Sequence, residues 1–541
     1  VAELAEAGFS PGVMSAGLGT VPSEQTHLDV GQGNRVFDSL YDSPLPERRG
    51  GPARWWHQVV ERAESAPADI VPGLLRSTLS RAGLGGRFTE IRTASLARIA
   101  GLDRVGLVIA IARPTGESDD PLPIGIAGAG FDGNLTSDST RTDGYVLSTD
   151  VAPTVLDWFG VDVPAAVSGQ AIRAEGSVDP AAIETLVARM DVIPSRRGPV
   201  IGLPIAAWLL LTLLAAAVSR GAWARGAVRL LALSIVYLPL LLLAGSALEP
   251  GETVEGLLVG LGAPALATAT LLALRGYRAL ATAAAITVLA YAADVIVGSP
   301  LSSLSLLGPN PGLGVRFYGI GNELEALLAV LVVAGIGAGL TGFAPGSSRR
   351  FAVGSFLAIG LATAFVFAAG RFGADVGAAI VFPVGAAVAA VSVAGAGRRR
   401  AVLAAVAAPF AVLALLALID LLSGANAHLT RSVLDAGGLG DLADVAQRRL
   451  QLSAHSFARP VLLVFLPLVA ALAVFAYVRR DRLGAWLRGA PAMRAGLLGA
   501  LAATVVGTLA NDSGALLLEI GTAYLLVFTG FAWAERPKSQ G

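Results

Sequence analysis

The sequence predicts a two-part, multidomain protein: a water-facing α/β region over residues 1–195, then an all-α transmembrane bundle of about eleven helices over 196–541. Three observations lead there. Of the 541 residues, 54% are hydrophobic and 15% charged, against roughly 45–50% and about 25% in soluble globular chains. The composition changes abruptly near Pro199. Beyond it, long apolar runs alternate with short loops that carry arginine.

The charge balance narrows the function classes. Forty basic residues cancel forty acidic ones, which leaves no net field to hold nucleic acid, so no nucleic-acid partner is expected. The absence of cysteine removes disulfide frameworks, thiolate metal sites and thiol nucleophiles together. The chain starts at Val1, which reads as a processed product or a fragment.

In the first region, Pro, Gly, Asp, Arg and Ser are scattered among short apolar runs, and no uncharged stretch nears the roughly 20 residues that cross a bilayer. Val105–Ala112 and Leu122–Ala127 read as short buried strands, Ala68–Ala82 and Val151–Phe159 as helices. His27 and Asp29 in "THLD" fit a remnant site or, the favoured reading, a surface loop pair.

The second region divides into spans at about 199–218, 228–248, 253–274, 279–298, 319–341, 351–370, 376–397, 401–422, 460–478, 493–510 and 514–534. Arginine marks one side. Loops after odd-numbered spans carry Arg220, Arg225 and Arg229; Arg275 and Arg278; Arg349 and Arg350; Arg398, Arg399 and Arg400; and Arg479, Arg480, Arg482 and Arg488. Loops after even-numbered spans carry Glu249, Glu252 and Glu255, the stretch around Arg316, the Arg371–Asp375 turn, a long mixed segment over 423–459, and Asn511 with Asp512. By the positive-inside rule the first set is cytoplasmic, so the α/β region faces outward and the C-terminus inward, in a multi-pass plasma (inner) membrane protein. Within 423–459, Ala443, Ala446, Leu450, Ala454 and Phe457 follow helical spacing, which fits either an interfacial helix or a loop helix packed on the bundle.

The stretch "PIGIAGAGFDGNLTSDSTRTDGYVLSTDVAPTVLDWFGVDVPAAVSGQAI", Pro123 to Ile172, and the opening "VAELAEAGFSPGVMS" resemble parts of the alkaline phosphatase superfamily. The resemblance implies a partial, degenerate alkaline-phosphatase-like fold whose first strand would precede Val1. Members bind metals through an Asp on that strand, a nearby Ser or Thr, and Asp-x-x-x-His and Asp-His pairs. Neither pair occurs here, and His27 and His57 are the region's histidines. A fold does not carry chemistry without its site, so this region is expected to sense, cover or dock rather than hydrolyse.

Four polar clusters interrupt the apolar spans, and the arginine pattern puts all four at the outer end. They are "GVRFYGIGNELEA" (Gly314–Ala326), "GRFGADVGA" (Gly370–Ala378), "DLLSGANAHLTR" (Asp420–Arg431) and "NDSGALLLEIG" (Asn511–Gly521). Together they resemble a family of bacterial, chiefly actinobacterial, polytopic membrane proteins in which a phosphatase-like outer domain precedes a bundle with "RFYGIGNE", "GADVGG" and "ANDSG". That resemblance implies an architecture and no activity.

Asn322, Asp375, Asp512 and Ser513 stand where helices begin and read as N-caps, with Glu323 favourable against the helix dipole. Capping does not account for Arg316 and Arg371, which oppose the positive helix ends. Helix N-termini plus two arginines suit phosphate or carboxylate. The carboxylates nearby either pair with those arginines or hold a bridging cation. Glu519, seven residues past Asp512, lies about 10 Å deeper and is expected to face the interior. His428 is the natural proton carrier. The candidate site is therefore His428, Glu323 and Asp375 for catalysis, with Arg316, Asn322, Arg371, Asn511, Asp512, Glu519 and Arg431 binding substrate and no dedicated metal ligands.

The expected function is an envelope membrane protein whose outer pocket engages a phosphate-bearing, lipid-linked substrate drawn from the surrounding membrane lipids. Two alternatives stay open: a proton- or ion-coupled transporter using Glu519 and Asp294, and a non-catalytic assembly scaffold.

Overall fold

The computed structural model describes residues 1–48, 51–91, 93, 98–99, 101, 106–113, 116–118, 120–218, 222–423, 453, 456–457 and 462–536. It forms two compact units: Val1–Ile193 with Pro309–Tyr318, and Pro194–Gly308 with Gly319–Gly541.

In the first unit the chain order is α1 (Ala2–Glu6), β1 (Ser10–Ser15), β2 (Val21–Pro22), α2 (Ser23–Gln32), α3 (Pro52–Glu64), α4 (Leu74–Arg81), β3 (Val108–Ile111), β4 (Glu117–Ser118), β5 (Leu122–Ala127), β6 (Asn134–Thr136), β7 (Tyr145–Leu147), α5 (Val151–Trp158) and β8 (Arg173–Glu175). The main sheet runs β3-β5-β1-β7. β5 pairs antiparallel with both β1 and β3, while β1 pairs parallel with β7. β1 is buried along its whole length, as expected for a central strand covered on both faces. Met14, Ile124, Ile126, Leu135, Val146 and Val151 make its core, each side chain contributing about 1.5–3 kcal/mol by burial.

Two expectations are revised. The helix expected over Ala68–Ala82 starts only at Leu74, because Pro72 and Gly73, the latter at φ 71°, break the earlier turn. His27 and Asp29 lie on α2 rather than in a loop. His27 reaches the surface beside Glu90 at 3.6 Å, and Asp29 is buried.

The segment 309–318 completes this unit. The Tyr145 hydroxyl donates to the Pro311 carbonyl at 3.0 Å, Arg35 to that of Gly314 at 3.0 Å, and the Asn310 amide to that of Met190 at 3.2 Å. Phe317 packs on Tyr145, ring centroids 5.9 Å apart. The first half of the "GVRFYGIGNE" motif, Arg316 included, thus belongs with the α/β unit.

The second unit is helical. Its elements are α6 (Pro180–Val218), α7 (Ala222–Leu248), α8 (Glu252–Ala273), α9 (Tyr277–Ile296), α10 (Asn322–Phe343), α11 (Arg349–Ala368), α12 (Ala378–Val393), α13 (Arg398–Ser423), α14 (Leu462–Val478), α15 (Arg480–Trp486), α16 (Pro491–Ala510) and α17 (Gly514–Glu535). The division between units falls inside α6. Among the described residues nine helices are long and apolar enough to cross a membrane, where about eleven were expected. The segments expected at 376–397 and 460–478 form shorter apolar helices. For the first, the 369–377 turn takes up chain assigned to the span.

α10 is buried along most of its length and packs against α16 and α12. Gly337 meets Gly496, and Gly385 meets the Gly499 backbone, so closely that a Cβ at these positions would overlap a neighbour. Small residues let helix backbones approach where no hydrophobic drive acts between helices.

Candidate functional site

The site begins with two glycine crossings. Gly319, at φ 80°, lies against the carbonyl of Gly373, where any Cβ would collide. The first and second polar clusters therefore meet backbone to backbone. The turn is closed by Gly373 N–H to the Val366 carbonyl and Asp375 N–H to that of Phe367, both 3.1 Å. Ala374 sits at φ 50°, a left-handed conformation that a non-glycine residue holds only when its surroundings enforce it. Buried Asp375 accepts from the Ala378 amide at 2.9 Å and so caps α12, as expected.

The second crossing brings in a residue the sequence reading passed over. Glu325 is fully buried, and its carboxylate lies directly over Gly377, where a Cβ would strike Oε2. That oxygen accepts from Asn511 Nδ2 at 2.9 Å. Asn511 also donates to Asn322 Oδ1 at 3.2 Å, and Asn322 donates to Asp512 Oδ1 at 3.2 Å. Two of the four clusters, on α10 and the α16–α17 turn, thus form one hydrogen-bonded assembly, and the 369–377 turn packs against it through the close approaches at Gly319 and Gly377. Asp512 stands exposed on it.

The capping expectation fails at three positions. Asn322, Asp512 and Ser513 place no side chain on a helix N-terminus. The two asparagines and Asp512 bind one another instead, and Asn511 Oδ1 accepts from the Ser513 amide at 3.0 Å. At α17 the capping acceptor is Ser456, which takes the Ala515 N–H at 3.0 Å. Ser453 donates to the Thr508 carbonyl at 2.6 Å.

Cations reach the assembly from an unexpected place. Arg197 on α6 donates to the Gly308 carbonyl at 3.1 Å and stands 3.7 Å from Glu323. Arg196 is committed elsewhere, at 2.8 Å from both buried Glu255 and the Pro250 carbonyl. Arg371 lies over the rings of Phe365 and Phe372 at 5.3 and 4.9 Å, a cation–π arrangement. Half-buried Arg316 is in the first unit. Glu519 is half-buried, with Oε1 enclosed and unpartnered among the described residues. His428, Arg431 and all of Ala443–Ala454 except Ser453 lie outside the described residues.

Chemically, the assembly offers amide donors and acceptors, an open carboxylate and a nearby guanidinium, a set suited to hydroxyl and phosphoryl groups. Among the described residues no three His, Cys, Asp or Glu groups come together as a metal site.

The α/β unit holds buried carboxylates of another kind. Asp150 accepts from Ser137 and Ser139 hydroxyls, both 2.6 Å, and from the Leu147 and Gln170 amides at 2.9 and 3.0 Å. Burial still pushes its carboxyl above the usual range. Asp29 accepts from Gln25 at 2.7 Å and Gln32 at 3.0 Å. Desolvation drives its carboxyl up to about 7, against the lowering pull of those bonds and of Arg35 and Arg62.

No protein-family model, curated protein or solved structure matches the chain.

Proposed function

We propose that the chain is an integral membrane protein of the bacterial cell envelope whose converged polar assembly binds the head group of a phosphate-bearing, lipid-linked substrate, with the alkaline-phosphatase-like unit on the outer side. The supporting observation is the link from Glu325 through Asn511 and Asn322 to Asp512, groups nearly two hundred positions apart in the chain. Polar groups beside membrane spans are expensive and are kept where they face a cavity or a ligand. Here they join loop ends at the mouths of apolar helices, where a lipid-borne head group arrives laterally. The transporter reading has less support: both Asp294 oxygens accept backbone amides, from Leu301 at 3.0 Å and Ser302 at 2.8 Å, a structural engagement that leaves little for a proton relay.

Lipid mass spectrometry on a strain lacking the protein tests the reading. One phosphate-bearing envelope lipid should accumulate and return to normal on complementation by the wild type but not by Asn511→Leu. An unchanged lipid profile would remove the proposal.

A further inference from the structure

Arg196 and Arg197 are adjacent in sequence and differ sharply in what they hold. Arg196 is spent: its side chain is 16% exposed and sits at 2.8 Å from Glu255, which is fully buried. Arg197 is 37% exposed and its partner Glu323 24%. Their 3.7 Å separation is an ion pair too long for a hydrogen bond. Of the five N–H donors a guanidinium carries, one reaches the Gly308 carbonyl. The Nε–H is buried and has no partner among the described residues. A guanidinium in this state is under-used, and it stands beside Glu323, next in sequence to Asn322 of the polar assembly.

We infer that Arg197 is the phosphate-recognising residue of the assembly, held in waiting by Glu323 and transferred to the phosphoryl oxygens when substrate arrives. The inference rests on the reading of the assembly as a head-group site. A phosphate offers Arg197 the two parallel N–H···O bonds that Glu323 does not provide at 3.7 Å. Glu323 then acts as a competitor: it orients the guanidinium before a head group binds and lowers affinity for weakly charged head groups. The discrimination concerns charge on the head group, so an uncharged lipid alcohol gains nothing from the exchange.

The full chain in lipid nanodiscs, offered phytanyl phosphate and phytanol in competition and read by native mass spectrometry, tests this. The wild type should prefer the phosphate. Arg197→Gln should lose at least tenfold of that preference, and Arg197→Lys should recover part of it as a point charge without the fork. Glu323→Gln should raise phosphate retention several-fold, a gain that misfolding does not produce. Unchanged preference in Arg197→Gln, or reduced retention in Glu323→Gln, would overturn the role of Arg197 and leave the head-group site standing. No phosphate preference in the wild type would overturn the head-group reading itself.

Discussion

Asp150 in the α/β unit and Glu325 in the helical unit are both buried carboxylates, but they are satisfied in opposite ways. Among the described residues, the donors to Asp150 come from within twenty residues of it, two hydroxyls and two backbone amides on the segments that flank α5. Asn511, 186 positions away, donates to Glu325, and the chain of bonds continues through Asn322 to exposed Asp512. A carboxylate closed by its own neighbourhood is a structural fastener. One that gathers distant segments and ends at an open carboxylate is the arrangement on which the proposed head-group site rests.

Substitutions can break this contrast, and the largest effect is expected at Asp150. Asp150→Ala leaves the buried Ser137 hydroxyl and Leu147 amide without their acceptor and should destabilise the α/β unit by about 3–5 kcal/mol. Limited proteolysis of the full chain, with cleavage mapped to 134–172, checks it. Gly319→Ala comes next. Its Cβ would strike the Gly373 carbonyl from a backbone at φ 80°, costing about 1–3 kcal/mol for the overlap and separating the first two clusters. Hydrogen exchange should rise across 369–378 while the α/β sheet stays protected.

Asp29 supplies a pH test of the α/β unit. Its carboxyl titrates near 7 in the folded chain, against an ordinary 3.8, so between those values the folded state binds the proton the unfolded state has lost. Stability should therefore fall as pH rises from about 4 to about 7, by at most about 1.4 kcal/mol per pH unit, and level off above. Asp29→Asn should flatten that part of the urea-midpoint profile. An identical profile in the variant would refute the assignment. The smallest effect is expected at Asp375→Ala, where loss of a cap costs about 1 kcal/mol and should appear as faster exchange in the first turn of α12.

What the sequence disclosed followed local signals. β5 occupies Leu122–Ala127 as expected, because an apolar run bounded by Pro121 and a glycine-rich turn admits little else. α5 begins at Val151 as expected. The second, first and fourth clusters were legible as polar interruptions of apolar spans. Glu325 was not, although it stands three positions after Asn322, on the same helical face; the "NELEA" run drew attention to Glu323 instead. Arg197 had no mark of its own, since nothing in "SRRGPV" separates a fully engaged arginine from a partly engaged one. That Pro309–Tyr318 completes the α/β unit is a long-range packing fact, carried by single bonds from Tyr145, Arg35 and Asn310, with no periodicity to announce it.

The central claim is that segments far apart in the chain meet at Asn322 and Asp512, and the absence of native cysteine allows a clean test. Asn322→Cys combined with Asp512→Cys, oxidised in native membranes, should form an intramolecular disulfide in high yield, detectable as a mobility shift reversed by reductant. A folded, membrane-inserted pair that shows no such shift under the same conditions would contradict the convergence, and with it the site.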